Sequence, residues 1–282
     1  MTATTALTAQ NTQGVSGIHQ IPPDFVVKQI DACLNDIGVD VVKIGMLASA
    51  ETVDLVASAL QRHGSPTAVV DPVMVSTSGA QLLPDEAVFN LRTRLLPLTT
   101  ILTPNIPEAR LLLQNAGINV PDINEIDDIV KIAKALNRLG PRYVLIKGGH
   151  LPLTKDRRIS LQEADRHTIV DVLYDGDQVI LYETDYLPSK NTHGTGCSLA
   201  CKNSQCALWH IYSPLRCPIL HISTRYLEFA SLVVSTVHCC FPHNTIYDCR
   251  AESSYSSHSM RHCPLKQPEP HPPSSRDGLS VH

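Results

Sequence analysis

Between residues 23 and 183 the chain alternates segments of helical period with short apolar runs. That alternation restricts it to a parallel sheet covered by helices on both faces. Pro22-Pro23-Asp24 opens a helix with apolar positions Val27, Ile30, Cys33, Leu34 and Ile37, stopped by Gly38. A buried-type strand follows over 39–44. Ser49 caps the next helix, Glu51 lies in its first turn and Gly64 ends it. The pattern continues with a strand at 68–70, a helix at 85–96, a strand at 100–103, a helix from Pro107 to Gly117, a helix at 126–139 and a strand at 143–146. Two β-like runs, 169–174 and 178–183, flank the hairpin turn Asp175-Gly176-Asp177.

In such sheets ligands bind at the carboxyl ends of the strands. Applied to this chain, the rule selects Gly45-Met46, Asp71, Thr103-Pro104-Asn105 and Lys147-Gly148-Gly149-His150. A further segment, Asn191-Thr192-His193-Gly194-Thr195-Gly196-Cys197, sits where a helix can begin. Its glycines allow close backbone approach, and N–H groups at a helix start hold an anion. A thiol in the first turn has a lowered pKa and can serve as base or nucleophile. It is neither a Walker phosphate loop, lacking the Lys, nor a dinucleotide fingerprint. By residue chemistry alone, the segment reads more readily as a helix-entry turn with a buried structural Cys. Asp71 and Glu108 are readable as surface charges or helix caps, Lys147 as a solvated strand end, and Met46 and Val73 as core.

Composition narrows the class. A net charge of −4 gives no electrostatic case for nucleic acid or an anionic membrane. No apolar run reaches the ~20 residues that span a bilayer, and the N-terminus lacks the features of a secretory signal. A soluble cytoplasmic protein is the expectation.

The segments Thr8-Ala9-Gln10-Asn11-Thr12, Lys43-Ile44-Gly45-Met46-Leu47, Asp71-Pro72-Val73-Met74, Thr103-Pro104-Asn105-Ile106-Pro107-Glu108-Ala109, Ile146-Lys147-Gly148-Gly149-His150 and His193-Gly194-Thr195-Gly196-Cys197 stand in one order. Together they resemble the hydroxymethylpyrimidine/phosphomethylpyrimidine kinase family of thiamine biosynthesis, within the ribokinase-like superfamily. The resemblance covers about residues 2–200. Sugar and pyridoxal kinases of that superfamily usually carry Asp where this chain has Cys197.

The resemblance implies a three-layer α/β/α fold with a mostly parallel central sheet. It implies ATP-dependent phosphorylation of hydroxymethylpyrimidine and then of its monophosphate, with a pyridoxal-type kinase or a non-catalytic truncated module as alternatives. Asn105 and Glu108 would hold Mg²⁺ and the nucleotide phosphates, with Asp71 as a second metal carboxylate. Lys147 would balance phosphate charge. Gly194, Thr195 and Gly196 would offer N–H groups to the transferring group, and Cys197 would take the substrate proton. Gln10 would read the aminopyrimidine, with Met46 and Val73 as apolar wall. A tendency to dimerise is also implied. His150 and His193 are assigned no more than loop orientation.

Two departures accompany the resemblance. The family begins with a strand and a Gly/Ser-rich loop that precede the segment where this chain starts, so the N-terminal strand is expected to be missing. Near Ala200 the composition also changes: thirteen of fourteen glycines precede it, while seven of nine cysteines and eight of thirteen histidines follow it. Residues 1–200 are expected to form an incomplete kinase core. Residues 201–282 are expected to form an off-pattern tail, largely disordered or mistranslated past a splice site at Cys201-Lys202. A rival reading makes Cys239, Cys240, His243, Cys249, His258, His262 and Cys263 zinc ligands, although no C-x₂-C pair is present. One helix is expected in the tail, over 226–237.

Overall fold

Short runs rich in β-branched residues become the central strands β3 (Val41–Ile44), β4 (Thr67–Val70), β5 (Ile101–Leu102) and β6 (Tyr143–Ile146). They pair in parallel in that order, with Val42 opposite Ala68, Val70 opposite Leu102 and Leu102 opposite Val144. This computed structural model describes residues 1–11, 14–36, 38–74, 83–120, 122–149, 151–156, 158–160, 162–186 and, as backbone, 235–240, all within the unit Met1–His243.

Antiparallel strands extend the parallel centre on both sides. Beyond β6 lie β7 (Thr168–Tyr174) and β8 (Val179–Asp185), joined by the expected hairpin. On the other side β9 (Ser235–Cys240) lies between β3 and β1 (Thr2–Asn11), antiparallel to both, and β2 (Gly14–Gln20) closes the edge. The helix expected over 226–237 is corrected in its last residues, because Ser235, Thr236 and Val237 belong to β9. Ladders on both flanks satisfy the backbone of this segment, whereas a lone short helix without a packing surface is marginal.

The β1–β2 hairpin has no counterpart among the expected elements. Leu7 and Ile18 remain exposed, so the half-buried alternation that marks a strand is broken.

Among the described residues, five α-helices lie between the strands: α1 (Pro23–Asp36), α2 (Ala50–Arg62), α3 (Asp85–Asn90), α4 (Ile106–Asn115) and α5 (Ile126–Asn137). Ser49 caps α2 by accepting the Thr52 N–H, as its position suggested. The helix expected over 85–96 is shorter: α3 passes into a π-helical turn at Leu91–Leu95 and a 3₁₀ turn at Leu96–Leu98. Pro97 has no N–H for the helical ladder, which ends there.

Successive strands advance one way across the sheet from β3 to β6. Right-handed crossovers therefore put the intervening helices on one face, and α1 to α5 pack consecutively against one another. One core cluster joins them to Val42, Ile44, Ala68, Val70, Leu102, Val144, Ile146 and Val172. The alternate residues Val41, Val69, Leu145 and Leu173 are buried as well. Burial on both faces explains why these strands read as continuous apolar runs.

All four parallel strands end at the same edge. β1 runs in their direction, since β1 and β3 are both antiparallel to β9, with Ala3 and Ile44 opposite Val237. Past Ala6, β1 pairs with β2 alone among the described residues, and this ribbon runs on beyond the last paired residue of β3.

Candidate active site

Three segments leaving the strands at that edge bring polar and charged residues together. Asp71 follows β4, Asn105 follows β5 and Lys147 follows β6. The Asp71 N–H donates to the Ile44 carbonyl at 2.8 Å, and the Lys147 N–H donates to the Pro104 carbonyl at 2.9 Å. These bonds continue the sheet by one residue past each strand and hold the side chains in register. Lys147 Nζ reaches Asp71 Oδ1 at 2.7 Å. Asp71 is 1% exposed and the Lys147 side chain 15%, so the pair is largely desolvated.

Glu108 joins the pair from the first turn of α4. Its Oε2 accepts the Asn105 N–H, and Asn105 Oδ1 accepts the Glu108 N–H, both at 2.8 Å. This reciprocal capping box starts α4, so the helix-cap alternative holds for Glu108 and Asn105. Burial is the largest influence on the Glu108 carboxyl. Together with the Asp71 charge, it outweighs the ammonium of Lys147 and the N–H groups of Asn105 and Met74, and the pKa is pushed up to about 7.

That shift sets a pH dependence. A folded-state pKa above the ordinary 4.5 means the folded chain holds more protons than the unfolded one between about pH 4.5 and 7. The stability contributed by the protonated form is complete below that window and is lost as pH rises through 7. Without added divalent metal, Tm should fall across this window, and Glu108→Gln should flatten the slope while retaining the cap acceptor. Identical slopes for the two chains, by calorimetry at pH 5, 6, 7 and 8, would refute the assignment.

An apolar cluster adjoins the charged one. Met46, Ala48 and Ala6 are buried together, with Val73 packed against them, and Thr5 Oγ1 donates to the Met46 carbonyl at 2.7 Å. Val73 is two residues beyond Asp71, so its backbone links the two clusters. Gln10 lies apart from this set. It is exposed on the projecting ribbon, beyond a β-bulge at Ala9/Gln10 and about 13 Å along β1 from Ala6. Gly194, Thr195, Gly196 and Cys197, with His150 and His193, lie outside the described residues. The side chains of the suggested zinc set do too. Among the described residues no group of three or more His, Cys, Asp or Glu is arranged to hold a metal.

Asp171 is a site neighbour that the sequence reading passed over. It is buried on β7, and its Oδ1 accepts the Gly148 N–H at 2.8 Å. The only signal was a carboxylate within the apolar run Ile169-Val170-Asp171-Val172-Leu173. Gly148 itself is sterically required. A Cβ there would fall on the Val170 carbonyl oxygen and 2.7 Å from the carbonyl carbon. Because backbone cannot yield as a side-chain tip does, Gly148→Ala should cost about 2–3 kcal/mol. Urea unfolding is the check, and a loss below ~0.5 kcal/mol would show that β7 can move aside.

A mostly parallel sheet carrying an ammonium–carboxylate cluster at its C-terminal edge defines an α/β protein of ribokinase-like fold. The family model described as phosphomethylpyrimidine kinase matches residues 1–207, and the chain belongs to that family. It is 40% identical over 200 residues to the hydroxymethylpyrimidine/phosphomethylpyrimidine kinase of Bacillus subtilis, covering 71% of this chain and 67% of that protein. It is 42% identical over 209 residues to a putative kinase of the same description from Schizosaccharomyces pombe, covering 74% of this chain and 38% of that one. A bifunctional thiamine biosynthesis protein of Geobacter sulfurreducens is 48% identical over 196 residues, covering 70% of this chain and 36% of that protein. The chain thus spans little more than a third of the length of these last two relatives. Among solved structures, the phosphomethylpyrimidine kinase of Clostridium difficile superposes with a TM-score of 0.57 at 36% identity, covering 74% of this chain and 78% of that one. The pyridoxal kinase of B. subtilis, solved with ADP, gives 0.58 at 30%, covering 72% and 69%.

Proposed function

We propose that the chain transfers the γ-phosphoryl group of ATP to hydroxymethylpyrimidine and then to its monophosphate, as a cytosolic enzyme of thiamine biosynthesis with a kinase core over residues 1–200. The observation that carries this reading is the meeting of Lys147, Asp71 and Glu108 beside the Met46–Val73 apolar cluster. One cluster suits phosphates and a cation, and the other suits a flat apolar ring.

The donor set fits Mg²⁺, which takes one or two carboxylates and completes its shell with phosphate oxygens and water. The buried Asp71 and Glu108 supply that number. When bound, Mg·ATP supplies the phosphoryl group and neutralises its developing charge. Lys147 holds the phosphates, while Asn105 fixes Glu108 through the cap. Gly194, Thr195 and Gly196 are assigned the task of offering N–H groups to the transferring oxygens. Sγ of Cys197 takes the proton of the hydroxymethyl group, whose oxygen bonds to the γ-phosphorus as ADP departs. Met46 and Val73 wall the ring, and Gln10 is assigned to its amino edge. A homodimer belongs to the same reading.

The test compares ADP release by the purified chain with hydroxymethylpyrimidine and with pyridoxal. A kcat/KM at least tenfold higher for the pyrimidine is expected. Preference for pyridoxal would transfer the chain to the neighbouring kinase class, and no turnover with either would support the non-catalytic alternative.

A further inference from the structure

The loop that carries Lys147 leaves the sheet in an unusual way. Ile146 pairs with Val172 on β7, and seven residues later Leu153 is bridged to Thr168 on the same strand. Continued at the first register, the ladder would place Leu153 opposite residue 165, so a three-residue bulge separates the two registers. Within this bulge Gly148 lies against the backbone of Val170, as its missing Cβ requires. Its N–H does not meet a strand carbonyl. It donates to the carboxylate of Asp171, at the position opposite Lys147 in the extended register. The Leu151 N–H then closes the turn onto the Gly148 carbonyl at 2.9 Å.

A charged side chain on a buried strand is costly unless it does something a backbone carbonyl or an apolar residue would not. Asp171 is 7% exposed and sits in a run of buried aliphatic residues. Burial raises its pKa, while the Gly148 N–H and the ammonium of Lys147 lower it. Its carboxylate bridges the mouth of the bulge one residue from Lys147. The backbone of Lys147 is thereby held on both sides, by the Pro104 carbonyl and, through Gly148, by Asp171.

We infer that Asp171 is a positioning residue: by anchoring the bulge at Gly148 it fixes the Lys147 ammonium where the nucleotide phosphates bind. This rests on the reading of Lys147 as a phosphate partner. The Oδ1 acceptor performs the task, so asparagine substitutes for aspartate and alanine does not.

The test uses the full chain with Mg·ATP. Binding is measured by calorimetry, and deuterium exchange is measured over the 147–153 stretch. Asp171→Ala should weaken ATP about tenfold and speed exchange there, and Asp171→Asn should recover most of both. In Asp171→Ala/Lys147→Ala the losses should not multiply, since the positioned group is already gone. Asp171→Val, suited to a buried strand, replaces the alanine variant if that chain does not fold. Unchanged exchange in the alanine or valine variant overturns the inference. So does normal ATP affinity in that variant while Lys147→Ala weakens it, multiplying losses in the double variant, or an asparagine variant as impaired as alanine. If the parent chain binds no ATP, or Lys147→Ala binds it as well as the parent, the functional reading falls, and the inference falls with it. The exchange data then still report whether Asp171 holds the bulge.

Discussion

Replacing Lys147 with alanine should destabilise the chain by roughly 3–5 kcal/mol and reduce its affinity for Mg·ATP by at least tenfold. The stability loss comes from the partner left behind. Asp71 is 1% exposed and is bound to the ammonium at 2.7 Å, with a second buried carboxylate, Glu108, nearby. Without the cation, desolvation and like-charge repulsion act on two acids together. The variant relieves this by taking up protons, so its deficit should be larger at pH 8 than at pH 5. Urea unfolding at both pH values tests the first part and calorimetric titration with Mg·ATP the second. A variant within ~1 kcal/mol of the parent at pH 8 would mean the acids are solvated or otherwise neutralised. Unchanged ATP affinity would remove Lys147 from the nucleotide site.

The second large effect is on turnover. Cys197→Ala should reduce kcat by roughly 10²–10⁴-fold, the usual range for a positioned proton acceptor, while ATP affinity stays within about twofold. The split follows from the division of labour proposed here. Lys147, Asp71 and Glu108 hold the phosphates and metal, whereas Cys197 acts on the hydroxyl of the second substrate. The sequence expectation of a helix start at this segment supplies the reason, since the helix dipole would stabilise a thiolate. Initial rates of ADP release with saturating hydroxymethylpyrimidine are the measurement. Full turnover in the alanine chain would leave Cys197 as a packing residue, and parallel loss of kcat and ATP affinity would point to a collapsed phosphate loop.

The stability and turnover predictions rest on residues that chain order alone had already selected. Asp71, Asn105 and Lys147 were readable because each follows a short apolar run, and the edge rule needs only strand direction. Helices α1, α2, α4 and α5 were readable from period and stop signals such as Gly38 and Gly64, since those signals act within a few residues. Asp171 was not readable in this way. It looks like a polar interruption in an apolar run, and its purpose appears only when β7 is laid beside the bulge after β6. The β1–β2 ribbon and β9 escaped for a related reason: their pairing partners are distant or projecting, and their side chains carry no clean alternation.

What the sequence determined by itself was local and additive: the alternation of elements, the edge at which function gathers, and an ordered set of motifs specific enough to mark the family. The tertiary structure decided everything that depends on distance between remote residues. It joined Lys147 to Asp71 across 76 positions and raised the Glu108 pKa by burying it beside another acid. It also made Gly148 obligatory by pressing it onto Val170. The physical reason is that periodicity and propensity act over a few residues, whereas desolvation, charge pairing and steric exclusion depend on which segments the folded sheet brings into contact.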